Sequence, residues 1–176
     1  MQTVIVIRHA IAEERRIFVK TRRPDSQRPL TEKGFLRMVE AAAGIRRLAP
    51  DIATLTSSPW TRARQTADII ATTYGGLEVC ETSALIPTHA PGELLTWMRA
   101  HLAAGTLAVV GHEPHLGNLI GLALHGRGDK AVPLKKGGAC ALSFYGEVAP
   151  GKGRLAWYMT PKELRQLGAG AEGPLT

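Results

Sequence analysis

A chain of 176 residues, 44% hydrophobic and 21% charged, is long enough for one sizeable core and too apolar for a disordered segment; it carries no low-complexity tract and no repeat. Its formal net charge of +7 attracts anions and is silent about fold. No stretch approaches the length of a membrane span, and the apolar run at residues 4–7 is too short for a signal-peptide core, with no basic residue before it, so a cytoplasmic protein without a membrane partner is expected.

Val4-Ile5-Val6-Ile7 is β-branched and apolar throughout, the pattern of a strand buried on both faces. A polar, Pro-containing loop follows to Pro29. It holds much of the charge surplus, with Arg15, Arg16, Lys20, Arg22, Arg23 and Arg28 against Glu13, Glu14 and Asp25, and reads either as a solvated loop or as a substrate-facing rim. Thr31 is placed as an N-cap with Glu32 in the first turn; Leu36, Val39, Ala43, Ile45 and Leu48 then keep helical spacing until Pro50 ends the helix. Residues 52–56 predict a second strand. Ser58-Pro59 predicts a helix start, Ser at the cap and Pro at the first helical position, and Gly75-Gly76 stops that helix after Tyr74. A short strand at 77–80, a helix at 91–104, an apolar strand at 107–110 and a helix at 114–124 follow. Residues 139–144 and 155–158 read as a pair of strands, and Thr160-Pro161-Lys162-Glu163 is a capping box that opens a terminal helix. The expected organisation is one domain over 1–168 with a small, polar tail at 169–176 that frays.

Strands alternating with helices imply right-handed crossovers, hence an α/β fold: a three-layer α/β/α sandwich with a mostly parallel central sheet. Three strand ends then carry unusual residues. The first ends in Arg8-His9, the second runs into Ser57-Ser58-Pro59-Trp60-Thr61-Arg62, and a later one ends in Gly111-His112. Parallel strands present their carboxyl ends at one sheet edge, where ligands of open α/β sheets bind. Two arginines and two histidines are therefore expected around one pocket. Guanidinium forks suit phosphate oxygens, and a helix N-terminus adds backbone donors. Neighbouring cations would lower the pKa of His9 and leave a neutral imidazole able to attack phosphorus.

These segments also carry a resemblance. Val6-Ile7-Arg8-His9-Ala10, with Ala10 where Gly is usual, resembles the opening motif of the histidine phosphatase superfamily, the phosphoglycerate-mutase-like fold. Ser57-Ser58-Pro59-Trp60-Thr61-Arg62-Ala63-Arg64-Gln65-Thr66-Ala67 resembles its second motif and Val110-Gly111-His112 its third. Arg28-Pro29-Leu30-Thr31 followed by Gly34, and the ending Trp157-Tyr158-Met159-Thr160-Pro161, resemble the SixA phosphohistidine phosphatases within it. The resemblance implies a metal-independent phosphatase that needs no cofactor, with His9 as nucleophile and Arg8, Arg62 and His112 as phosphate ligands. Arg28 is a further substrate-site candidate, with a salt-bridged loop arginine as its other reading. The implied substrate is a phosphorylated protein, such as a histidine-containing phosphotransfer domain. Many members of the superfamily carry a catalytic Glu or Asp about two residues beyond a Leu such as Leu85; here Pro87 stands there. Asp25, Glu13, Glu93 and Glu113 are the acids that could serve instead. With little length beyond its core elements, the chain is expected to leave the site open and shallow.

Other readings carry less. His112-Glu113-Pro114-His115 lacks the second His four residues after the first that a zinc helix needs, so no metal site is expected, and Gly126-Arg127-Gly128-Asp129-Lys130 lacks the spacing of a phosphate-binding loop. Cys80 and Cys140 stand far apart without metal or redox spacing. The positive charge invites nucleic acid, but no recognition motif or aromatic platform accompanies it, and aromatic residues are only 5%, so no nucleic-acid partner is expected. A small-molecule phosphomonoesterase and a phosphate-recognising module without turnover remain as alternatives to the phosphohistidine phosphatase.

Overall fold

Apolar strands buried on both faces need helices on both faces. The computed structural model, which describes residues 1–102 and 105–170, has this arrangement. Six strands, β1 (Gln2–Arg8), β2 (Thr54–Ser57), β3 (Val79–Glu81), β4 (Thr106–Gly111), β5 (Ala139–Phe144) and β6 (Arg154–Met159), form one sheet in the order β3-β2-β4-β1-β5-β6. β1 to β4 are parallel, and β5 runs against both of its neighbours. Side chains alternate across β1. Val4 and Val6 pack with Leu94, Leu95 and Met98 of α4 (Pro91–His101) and Leu116, Leu119 and Ile120 of α5 (His115–His125). Ile5 and Ile7 pack with Met38, Ala41 and Ile45 of α2 (Glu32–Leu48), Ala63, Ala67 and Ile70 of α3 (Thr61–Thr73) and Leu164 of α6 (Pro161–Ala169). This is the α/β/α sandwich that the alternation predicts, with a short helix α1 (Arg15–Phe18) in the segment after β1.

Several local expectations are corrected. Leu36 and Val39, which share the helical spacing of α2, are exposed, and the helix buries Met38, Ala41, Ala42, Gly44 and Ile45. Close approach decides the face: a Cβ on Gly44 would lie 2.0 Å from the Leu164 carbonyl oxygen, and one on Gly34 2.0 Å from that of Ile11. Thr31 caps α2 as expected, accepting from the Gly34 N–H at 3.0 Å. α3 does not begin at Ser58-Pro59 but at Thr61, after Trp60. Ser58 is still extended along the sheet, its N–H bonded to the Val110 carbonyl at 2.9 Å, so the helical turn cannot close until later. β3 lies two residues beyond its predicted start, α5 starts at His115, and α4 ends at His101; 103–104 lie outside the described residues. The capping box at Thr160 and Glu163 is formed. Of the tail predicted to fray, Ala169 closes α6, and 171–176 lie outside the described residues. No helix among the described residues is long and apolar enough to cross a membrane.

Candidate active site

Adjacency of the three parallel strands β2, β4 and β1 brings their carboxyl ends together. Arg8 pairs with Gly111 across β1 and β4, and Ser57 with Val110 across β2 and β4. The ladder continues one step beyond the strands, with the His9 N–H bonded to the Gly111 carbonyl at 3.0 Å. His9 and His112 therefore stand side by side, ring centroids 5.1 Å apart. Thr66 on α3 locks the turn after β1: its hydroxyl accepts the Ala10 N–H at 3.1 Å while donating to the Arg62 carbonyl at 2.7 Å. Gly137 closes the other side. At φ +78° its N–H reaches the carbonyls of both Arg8 and His9, a conformation that suits glycine.

His9 is held in one tautomer. Its Nδ1 lies 2.7 Å from the Ala10 carbonyl oxygen, which can only accept, so Nδ1 carries the hydrogen and Nε2 keeps its lone pair. The Arg62 Nε–H points at that lone pair at 3.2 Å. The pKa of His9 is lowered to about 3, first by burial, then by the charges of Arg62, Arg8 and Arg28, against the opposing bond to Ala10. Burial, more than the cationic neighbours that the sequence points to, keeps this imidazole neutral. His112 is lowered to about 2, again first by burial and then by His9 and Arg62. Its Nε2 meets the Ser58 hydroxyl at 2.9 Å. With Ser58 donating to Nε2, the Nδ1–H of His112 is the donor left over.

Arg62, at the start of α3, is gripped from the 11–30 segment. Its terminal nitrogens donate to the Asp25 carbonyl at 2.9 Å and to Asp25 Oδ2 at 3.2 Å, and its guanidinium stacks over Trp60 at 4.7 Å. Trp60 also packs 4.9 Å from the His112 ring, so it both lines the site and holds two of its members. Arg28 donates to Asp25 Oδ1 at 2.8 Å and to the Glu13 carbonyl at 2.7 Å. It makes the ion pair of its second reading and still sits beside Arg62. Arg8 donates to the Leu134 carbonyl at 2.7 Å, and its buried Nε has no partner among the described residues. The structure thus brings His9, Arg8, Arg62 and His112 together, with Arg28 behind Asp25. It corrects the expected open, shallow pocket: His9, Arg62 and His112 are 5%, 4% and 1% exposed, because the 11–30 segment and Trp60 fold against them.

The chain is similar to known proteins in sequence and in fold. The model of the histidine phosphatase superfamily (branch 1) matches residues 4–90. An uncharacterised protein of Picosynechococcus sp. is 34% identical over 137 residues, covering 77% of this chain and 81% of that one. The chain belongs to the histidine phosphatase superfamily. Its fold is similar to that of the protein histidine phosphatase SixA complexed with tungstate, with a TM-score of 0.77, 21% identity, and coverage of 92% of this chain and 99% of that one. It is also similar to a phosphoserine phosphatase from Entamoeba histolytica, with a TM-score of 0.66, 19% identity, and coverage of 93% and 100%. A mycobacterial glucosyl-3-phosphoglycerate phosphatase has a TM-score of 0.63, 18% identity, and coverage of 91% and 100%. The fold is thus shared with phosphatases whose substrates differ.

Within this superfamily frame, several motif residues have structural duties that sequence reading did not assign. Gln65 Oε1 accepts the Leu30 N–H at 2.8 Å, tying the end of the 11–30 segment to α3. Ser58 orients His112, Thr66 fixes the turn beyond His9, and Asp25 bridges two arginines. Their signal was membership of the long second motif and, for Asp25, its place three residues before Arg28. Three of the acids considered as proton donors, Asp25, Glu93 and Glu113, have side-chain engagements. Partial burial would raise Asp25, but the Arg28 hydrogen bond and the charges of Arg62, Arg28 and Arg15 hold it below the usual carboxylate range. Glu93 pairs with His89 at 2.7 Å on the surface. Glu113 is pushed up by burial, yet its oxygens accept the Leu134 and Gly117 N–H groups. Glu13 meets Arg28 through its backbone carbonyl.

Proposed function

We propose that this protein is a phosphohistidine phosphatase that works on a phosphorylated protein through a phosphohistidine intermediate on His9. The observation that carries the reading is the preset Nε2 lone pair of a neutral His9, surrounded by Arg8, Arg62 and His112. Nε2 attacks phosphorus in line and the bond to the leaving group breaks. The ring gains positive charge as the new N–P bond forms, and the Ala10 carbonyl on Nδ1–H stabilises it. Arg8, Arg62 and the Nδ1–H of His112 meet the charge on the equatorial oxygens. Water then attacks the phosphorus, inorganic phosphate leaves and neutral His9 returns.

The side-chain engagement of Asp25, Glu93 and Glu113 supports an N–P substrate. An alkoxide must be protonated as it departs, whereas an imidazole leaves readily and can arrive already protonated. The protein partner is inferred from charge. Arg15, Arg16, Lys20, Arg22 and Arg23 are exposed on the 11–30 segment. On the other side, exposed Lys135 and Lys136 immediately precede Gly137, which bonds to the His9 carbonyl. Two basic arms flank the site and suit an acidic phosphotransfer domain. A small phosphomonoester is the second reading, favoured by the low exposure of His9. Alkaline-quench trapping of labelled phosphate on His9, with a phosphohistidine protein as donor and p-nitrophenyl phosphate and phosphoserine beside it, tests both. Label on wild type and none on His9→Ala supports the nucleophile. Comparable kcat/KM for phosphohistidine and phosphoserine overturns the N–P preference.

A further inference from the structure

A carboxylate stands where an anion site would be expected to hold only cations. Asp25 is about a quarter exposed and touches both Arg28 and Arg62, yet its negative charge can only oppose a phosphate beside those arginines. We propose that Asp25 is a positioning residue that aims Arg62 at the Nε2 lone pair of His9 and weakens anion binding in doing so; this rests on the reading of His9 as nucleophile.

The hydrogen bonds say how. Arg62 has five N–H donors in a rigid fork. Asp25 takes one from each terminal nitrogen, through its main-chain oxygen at 2.9 Å and its Oδ2 at 3.2 Å. Two points of attachment fix the guanidinium plane, and Trp60 supports its face at 4.7 Å. The remaining nitrogen, Nε, is thereby directed to His9 Nε2. The second carboxylate oxygen holds Arg28, whose other end is fixed on the Glu13 carbonyl. One carboxylate therefore keeps two mutually repelling cations in fixed places. The Arg62 Nε–H covers the attacking lone pair. A phosphoryl oxygen that takes over this N–H uncovers the lone pair as its target arrives, and the exchange works only while Arg62 keeps its direction.

The experiment compares wild type, Asp25→Ala and Asp25→Asn for turnover of p-nitrophenyl phosphate and for competitive inhibition by inorganic phosphate. Misdirection of one group by about an ångström costs on the order of a hundredfold in rate. The expected result is therefore a kcat lower by about ten- to a hundredfold in Asp25→Ala, with inhibition by phosphate tighter than in wild type. Asp25→Asn keeps one acceptor and should fall between. An unchanged kcat in both variants overturns the proposal. So does a parallel loss of turnover and phosphate binding with a lowered Tm, since that marks collapse of the 11–30 segment; Asp25→Asn, the milder change, guards against this being peculiar to Ala. Phosphate binding needs no nucleophile, so the two readings separate. Absent label on His9 in wild type sinks the nucleophile, while tighter phosphate binding in Asp25→Ala still reports the charge opposition. Label present with kcat unchanged in Asp25→Ala sinks Asp25 alone.

Discussion

The two sides of the site are built differently. Arg8, His9 and His112 come from the ends of β1 and β4, which are hydrogen-bonded to each other along their whole length, and their backbones cannot move without breaking the centre of the sheet. Arg28 and Asp25 come from a segment of short turns, held to the site by side-chain bonds to Arg62, Glu13 and Gln65. On the proposed reading the strand side holds the attacking imidazole with Arg8 and His112, and the loop side holds Arg62 toward it through Asp25. The proposed function thus pairs a nucleophile fixed by the sheet with an arginine anchored by side-chain bonds.

The sharpest way to break that contrast is at His9. His9→Ala is expected to lose at least about a thousandfold in kcat, in line with removal of a nucleophile elsewhere, while circular dichroism shows an intact fold. Arg62 links the two sides, and Arg62→Lys should lower kcat by about a hundredfold, because an ammonium cannot hold Asp25 at two points and face His9 at once. A loss no larger than that of Arg28→Ala would place the weight on the loop side. On the strand side, Thr66→Val leaves the buried Ala10 N–H without its acceptor and should cost about 1–3 kcal/mol in urea unfolding. The basic arms come next. Reversing Lys135 and Lys136 to Glu should lower kcat/KM for a phosphohistidine protein severalfold at low salt and leave p-nitrophenyl phosphate unchanged; equal effects on both substrates would argue against docking there.

The pH dependence tests the strand side without mutation. His9 lies at about 3 and His112 at about 2 in the fold, against about 6.5 when unfolded. The unfolded chain therefore binds more protons below that value, so stability is greatest above it and falls as pH drops, levelling off only near the folded pKa values. The depressed Asp25 carboxyl acts in the same direction in acid. Because His9 stays neutral, kcat/KM for a small substrate should show no acid limb from His9 between about pH 4.5 and 7.5 wherever the fold persists. An inflection near 6.5 in the free enzyme would mean that His9 is solvated.

Much of this was readable along the chain. Residues 4–7 and 107–110 announced strands buried on both faces, and the alternation of elements announced the sandwich. The convergence of Arg8, His9, Arg62 and His112 followed from strand direction alone. What escaped was where side chains lead the backbone. Ser58 looked like a helix cap because Ser-Pro commonly is one, but the pairing of its N–H with Val110 outweighed that local preference. Leu36 and Val39 had helical spacing, yet glycines packed against neighbouring carbonyls turned another face of α2 inward.

Strand identity, crossover sense and the residue types at strand ends are properties of short segments, so the amino-acid order alone determined the fold class and gathered the two imidazoles and two guanidiniums. The tautomer of His9, the cause of its low pKa and the double grip of Asp25 were decided only in the folded molecule. Arg62 meets Asp25 across 37 residues and Ala10 meets Thr66 across 56. Which donor finds which acceptor at such separations depends on the path of the intervening chain and on how much water it excludes, and neither is written in local spacing.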